Sequence, residues 1–165
     1  MNRPTPSSGA IAGLYVFAAM LVVAPLSDLF STAFPPRLGD LSWRYGFLGL
    51  AAGYLQTPLL GLVIASAVAY WQAHAGVLRT LGILGAVMAV VLLMIIVLWP
   101  MDVMQVRALR EPDAQAAVAI GGALQELKYL AAFLVLSFLG FGSMRTASEL
   151  ARANLREAPG IVSRG

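Results

Sequence analysis

Charged residues are missing from four long stretches of this chain, and those stretches predict its architecture. Residues 9–30, GAIAGLYVFAAMLVVAPLSDLF, carry no charge before Asp28. Residues 47–71 carry none, and the 21 residues of 81–101 have no polar side chain except the indole of Trp99. The fourth stretch, 129–144, is charge-free over 16 residues and is bracketed by Lys128 and Arg145. A hydrocarbon layer about 30 Å thick is crossed by roughly 20 residues of helix rising 1.5 Å each. Three stretches meet that length. The fourth falls short, and its two flanking cations can snorkel outward to cover the difference. The pattern predicts an all-α membrane protein, a bundle of four transmembrane helices with a short helical C-terminal tail. The whole of 1–165 is one domain, with spans near 9–30, 47–71, 80–101 and 127–145 and a cytoplasmic tail over 146–158.

The polar segments between the spans differ in kind. Pro4, Pro6, Ser7 and Ser8 precede the first span and suit a helix start. Arg3 and the small residues Ser31-Thr32-Ala33 would fit a cleaved signal peptide. The apolar run of 17 residues from Ala10 to Leu26 is longer than the usual ~7–15, so the first helix is expected to be retained. The loop STAFPPRLGDLSWRY is punctuated by Pro35-Pro36 and Gly39-Asp40. QAHAGVLRT is short, which makes spans two and three antiparallel neighbours. Glu111-Pro112-Asp113 reads as the start of a helix that runs into span four, with Gly121-Gly122 as a place where it can bend. In the tail, Arg145 and Glu149 stand at i,i+4 spacing, and Pro159-Gly160 ends the helical pattern.

Composition sharpens the choice of solvent. The chain is 59% hydrophobic and 12% charged, against about 45–50% and ~25% for soluble domains. A water-soluble fold of 165 residues could not hide that much apolar surface. With no cysteine, disulfides and thiolate metal sites are excluded. The cations lie at the ends of apolar runs, where membrane topology would place them, so nucleic acid is not the expected partner. The expected partner is the lipid bilayer, with other membrane subunits or a second copy of the chain as further candidates. Four spans put both termini on one side. That side collects Arg3, Arg79, Arg145, Arg152, Arg156 and Arg164; the other collects Arg37, Arg44, Arg107, Arg110 and Lys128. The cluster after span four tips the balance to cytoplasmic termini in a cell (inner) membrane. Aromatics near the run ends (Trp43, Tyr45, Tyr70, Trp71, Trp99 and Tyr129) suggest interfacial belts.

Candidate chemistry is sparse. Ionisable groups at membrane depth cost ~2.5–3.5 kcal/mol near the centre on insertion scales, and no charge lies centrally in any span. Alternating helix directions gather Asp28, Arg44, Asp102, Arg107, Glu126 and Lys128 in one outer layer. Gln56 and Thr57 lie beneath it, about mid-depth in span two. Pro100 deprives the carbonyl of Ile96 of its donor, so span three is expected to bend or loosen there. Asp102 is expected to be solvated at the interface, with an ion pair to Arg44, Lys128 or Arg107 as the alternative. Pro58 frees the Tyr54 carbonyl, and Gln56 and Thr57 are expected to act as polar glue. Gly9 with Gly13, and Gly49 with Gly53, form small-xxx-small patterns that permit close helix approach, inside the bundle or to another subunit. His74 is the only histidine. It excludes a bis-histidine haem within one chain, and Met88 and Met94 read as gap-fillers rather than ligands. No catalytic, cofactor or metal constellation is present.

LQTPLLGL in span two and WPMDVMQVRALR closing span three loosely resemble helices of small four-helix bacterial inner-membrane proteins of the copper-resistance-D-like kind. The resemblance covers about a third of the chain and implies a four-helix inner-membrane protein. The histidines that copper would need are missing. The leading expectation is a non-enzymatic accessory or scaffold subunit that acts through helix packing and its outer loops. The alternative is a small-molecule, lipid or quinone carrier with a polar site near Asp28, Gln56 and Asp102. A third reading is a sensor that signals through the tail.

Overall fold

The computed structural model describes residues 7–157, which form five helices. They are α1 (Ser8–Ala33), α2 (Leu41–Tyr54), α3 (Gln56–Trp71), α4 (Ala75–Ala108) and α5 (Pro112–Glu157), and there are no strands among the described residues. Three of the five, α1, α4 and the part of α5 to Asn154, are long and apolar enough to cross a membrane. The α2–α3 pair passes the same test when taken together and is bent by 41° at its break. Arg3, Arg164 and the Pro159-Gly160 stop lie outside the described residues, as does residue 158 of the expected tail.

The second apolar stretch was expected to be one helix over 47–71. It begins earlier, at Leu41, and is broken at Leu55. The early start has a local cause: the Asp40 carboxylate accepts hydrogen bonds from the Ser42 and Trp43 amides at 2.9 and 3.3 Å, an N-cap on the Gly39-Asp40 punctuation. The break follows from Pro58, whose ring opposes the Tyr54 carbonyl and which has no N–H to offer it. Pro58 therefore lies in the first turn of α3, where helices tolerate proline, and α2 ends at Tyr54. By contrast α4 runs unbroken through Pro100, and α1 through Pro25.

Helices four and five are far longer than the apolar runs inside them. The 34 residues of α4 span about 51 Å and the 46 of α5 about 69 Å, against a hydrocarbon layer of about 30 Å. The expected lead-in from Asp113, the fourth apolar run and the 146–157 tail all belong to one continuous α5. Arg145 and Glu149 pair on its exposed surface at 3.0 Å.

The molecule divides into an α4–α5 hairpin and an α1–α3 pair, joined by α2. Small residues set both contacts. Gly82 and Gly85 of α4 lie against Gly140 and Met144 of α5; a Cβ on Gly85 would meet Gly140 Cα at 3.3 Å. Gly61 of α3 lies so close to α1 that a Cβ there would stand 2.6 Å from the Ala18 carbonyl oxygen. The main apolar core includes Ala52, Leu62, Leu92, Tyr129 and Leu136, contributed by α2 to α5. A smaller cluster of Ala69, Leu78 and Ala147 holds the other end. Much of the surface outside these seams is apolar: α1 buries Ala18 alone, while Phe17, Met20, Val23 and Phe30 are exposed.

The small-xxx-small patterns prominent in the sequence are not the ones used. Gly9, Gly13, Gly49 and Gly53 have nothing within 4 Å of a built Cβ. Spacing shows which residues permit close approach, but the rotation of each helix decides which ones meet a neighbour.

Candidate functional site

One cluster of polar residues forms where α2, α4 and the first half of α5 cross. Asp102 is buried, 6% exposed, although a solvated interfacial aspartate was expected. Its partner is Arg44. Arg44 Nη2 donates to Asp102 Oδ1 at 2.8 Å and Arg44 Nε to Asp102 Oδ2 at 3.1 Å, a two-pronged contact that matches the planar fork of a guanidinium to a carboxylate. The remaining prong, Nη1, donates to the Leu38 carbonyl at 2.9 Å. Arg44 is partly exposed and thus bridges the loop before α2 to the buried face of α4. A charge taken out of water needs a fixed counter-charge and filled hydrogen-bonding positions, and this pair supplies both for Asp102.

An aromatic stack lies beneath the ion pair. Trp99, one turn before Asp102, was expected in an interfacial belt. It is 1% exposed instead, and its indole N–H donates to the Gly122 carbonyl at 3.0 Å. Tyr45 stacks on it with ring centroids 5.0 Å apart, and Tyr129 meets it edge-on at 6.3 Å. Tyr129, also fully buried rather than in a belt, donates its hydroxyl to the Leu48 carbonyl. Tyr70 and Trp71 are exposed, the latter at 76%. Polar tips on apolar bodies need partners when buried, and here backbone carbonyls of α2 and α5 provide them.

Two acceptors at this crossing have no donor. Gln125 Oε1 and Glu126 Oε2 are buried and make no hydrogen bond among the described residues. Both flank the buried Gly122–Tyr129 face of α5. Glu126 also lines a cavity of about 230 Å³ between α4 and α5, together with Pro100, Val103, Arg107 and Ala123.

The other sequence candidates stand apart. Asp28 is exposed near the end of α1, and its backbone carbonyl, not its carboxylate, accepts from Ser31 and Thr32. Gln56 and Thr57 are exposed and make no side-chain hydrogen bond among the described residues, so the expected glue contact is not formed within the chain. Arg107 and Lys128 are exposed and form no ion pair among the described residues. None of the five principal cavities is lined by Asp28, Gln56 or Asp102. The structure thus pairs Arg44 with Asp102, places Arg107 and Glu126 unpaired on the wall of one cavity, and leaves Asp28, Gln56, Thr57 and Lys128 outside. Sequence reasoning missed Tyr45, Gln125 and the buried state of Trp99 and Tyr129. One available signal was spacing: Trp99 with Asp102, and Gly122 with Gln125, Glu126 and Tyr129, share helix faces.

At the opposite end, the Tyr15 hydroxyl and His74 Nδ1 are hydrogen-bonded at 3.0 Å, tying α1 to the α3–α4 turn. No group of three or more metal-ligating side chains occurs among the described residues. An apolar groove of about 570 Å³ runs between the end of α1 and the start of α2, walled by Phe30, Phe34, Trp43 and Phe47. No protein-family model, curated protein or solved structure matches this chain.

Proposed function

We propose that the chain is a four-span integral membrane protein, with α2 and α3 together forming one kinked span, and that it works as a non-enzymatic accessory or scaffold subunit of an inner-membrane assembly. The observation that carries this reading is the state of α1. It is a 26-residue helix that buries one residue, Ala18, and presents apolar side chains nearly all round. Gly9 and Gly13 on α1 and Gly49 and Gly53 on α2 are open to close approach by another helix. The polar cluster supports the same reading, because Arg44 and Asp102 are occupied with holding α2 to α4. None of the five principal cavities among the described residues is lined by Asp28, Gln56 or Asp102, which favours this reading over a carrier built on those three.

The test uses the absence of native cysteine. Single cysteines placed at Met20 and Val23 on the outer face of α1 are cross-linked in the membrane, and the protein purified in mild detergent is weighed intact. Cross-links to one defined subunit, or to a second copy, together with a matching mass are the expected result. A strictly monomeric species with no cross-link at either position would overturn the proposal.

A further inference from the structure

The α4–α5 cavity has an acid at one end and a base at the other, and neither is paired within the described chain. Val103 and Gly122 fix the register: a Cβ on Gly122 would meet Val103 Cγ1 at 2.6 Å. From that contact Arg107 lies one turn further along α4, and Glu126 lies one turn further along α5 in the opposite direction. Their Cα atoms are therefore about 12 Å apart along the helix axes, two turns of four residues at 1.5 Å each. Helical side chains lean toward the N-terminus of their own helix. In an antiparallel pair that lean brings Arg107 and Glu126 toward each other across the cavity. Among the described residues Glu126 Oε2 is buried and accepts no hydrogen bond, and the Arg107 side chain is exposed and has no acidic partner. Of the other wall residues only Trp99 carries a side-chain donor, and its indole N–H is already given to the Gly122 carbonyl. Met104 lines the cavity as well, and Met101 and Leu127, sequence neighbours of the lining residues Pro100 and Glu126, are exposed apolar residues.

We propose that this cavity binds the zwitterionic headgroup of an amine-bearing phospholipid of the phosphoethanolamine class. The primary ammonium donates to the Glu126 carboxylate, the phosphate accepts from the Arg107 guanidinium, and the acyl chains lie along Met101, Met104 and Leu127. Three chemical features set the selectivity. Glu126 stands at the cavity wall with its Oε2 shielded and without a donor among the described residues, so an N–H donor is gained once the carboxylate turns toward the cavity. A trimethylated ammonium has no N–H to give, and a glycerol headgroup has no cation. The volume of about 230 Å³ admits a headgroup but not a folded lipid. The inference takes α4 and α5 as membrane-crossing helices. Cysteine labelling of their ends reports on that independently, so a failed topology and a failed site are distinguishable.

The experiment is intact mass spectrometry of the full chain in detergent, titrated with phosphatidylethanolamine, phosphatidylcholine and phosphatidylglycerol. Retention of the ethanolamine lipid about tenfold above the other two is expected, the scale of one charge-assisted hydrogen bond. Glu126→Gln, nearly isosteric, removes that preference, and Ala123→Leu, which fills the cavity without touching a charge, lowers retention of the ethanolamine lipid to the level of the others. Arg107→Gln weakens all three lipids, since each carries the phosphate, and Lys128→Gln changes nothing. Equal retention of all three lipids by the unmodified chain overturns the proposal. So does a preference that survives both Glu126→Gln and Ala123→Leu. Soluble phosphoethanolamine binding as tightly as the phospholipid would make the free zwitterion the ligand and overturn the lipid assignment.

Discussion

Arg44 and Asp102 hold each other through two nearly parallel hydrogen bonds, and the effect of breaking them depends on which partner is left behind. Asp102 is the buried one, so removing Arg44 leaves an uncompensated charge in the protein interior, the costlier outcome. Arg44→Gln is expected to lower the unfolding midpoint in detergent more than Asp102→Asn, since Arg44 can turn to water. The double variant is expected to recover part of the loss, and a thermal-unfolding series of the three checks the order. Tyr129→Phe removes the hydroxyl that meets the Leu48 carbonyl while keeping the edge contact with Trp99. It is expected to destabilise by about 0.6–2 kcal/mol, as for other polar contacts between membrane helices, measured by the same unfolding assay. Before any fold is known, helix direction and run length place Asp102, Arg44, Arg107 and Lys128 in one layer. They do not choose among the three cations, because rotation about a helix axis is set by what packs on the other side. Here the choice falls to Arg44 because α2 lies against the face of α4 that carries Trp99 and Asp102.

Helix pairing is governed by small residues at the contact lines. Gly85 and Gly140 let α4 and α5 approach with backbone against backbone, while Gly49 and Gly53 face open space. Gly85→Leu is therefore expected to destabilise by roughly 1–3 kcal/mol, the usual cost of overpacking, and Gly49→Leu to leave the unfolding midpoint unchanged. If both behave alike, the contact line has been misplaced. The broken α2–α3 segment makes a second claim at this scale. Pro58→Ala restores the N–H that could reach the Tyr54 carbonyl, and it is expected to straighten the pair and raise helicity by circular dichroism. Apolar run length was enough to locate four greasy segments. The lead-in from Asp113 and the tail were legible from capping and charge spacing, but not that they join the fourth run in one unbroken α5, because that continuity lies in polar and mixed sequence that hydropathy does not read.

For the molecule as a whole, the number of crossings turns on α2 and α3. If the pair crosses once, as proposed, then cysteines at Arg37 and at His74 react with an impermeant maleimide from opposite sides of a sealed vesicle, and cysteines at Arg79 and Arg152 react from the His74 side. Labelling of Arg37 and His74 from one side would make the pair a re-entrant loop and leave three crossings. That three helices are long and apolar enough to cross a bilayer follows directly from composition and run length: a crossing needs about 20 apolar residues per helix, and that demand is written residue by residue without reference to anything distant. Helical class, the approximate segment positions and the polar layer at one end are all local or arithmetic consequences of that pattern. The Arg44–Asp102 pair, the burial of Trp99 and Tyr129 and the cavity between Arg107 and Glu126 are not. They join residues 23 to 81 positions apart on different helices, or depend on the register of two antiparallel helices. Those relations depend on the rotation and offset of each helix, quantities that no single segment encodes and that packing against its neighbours fixes.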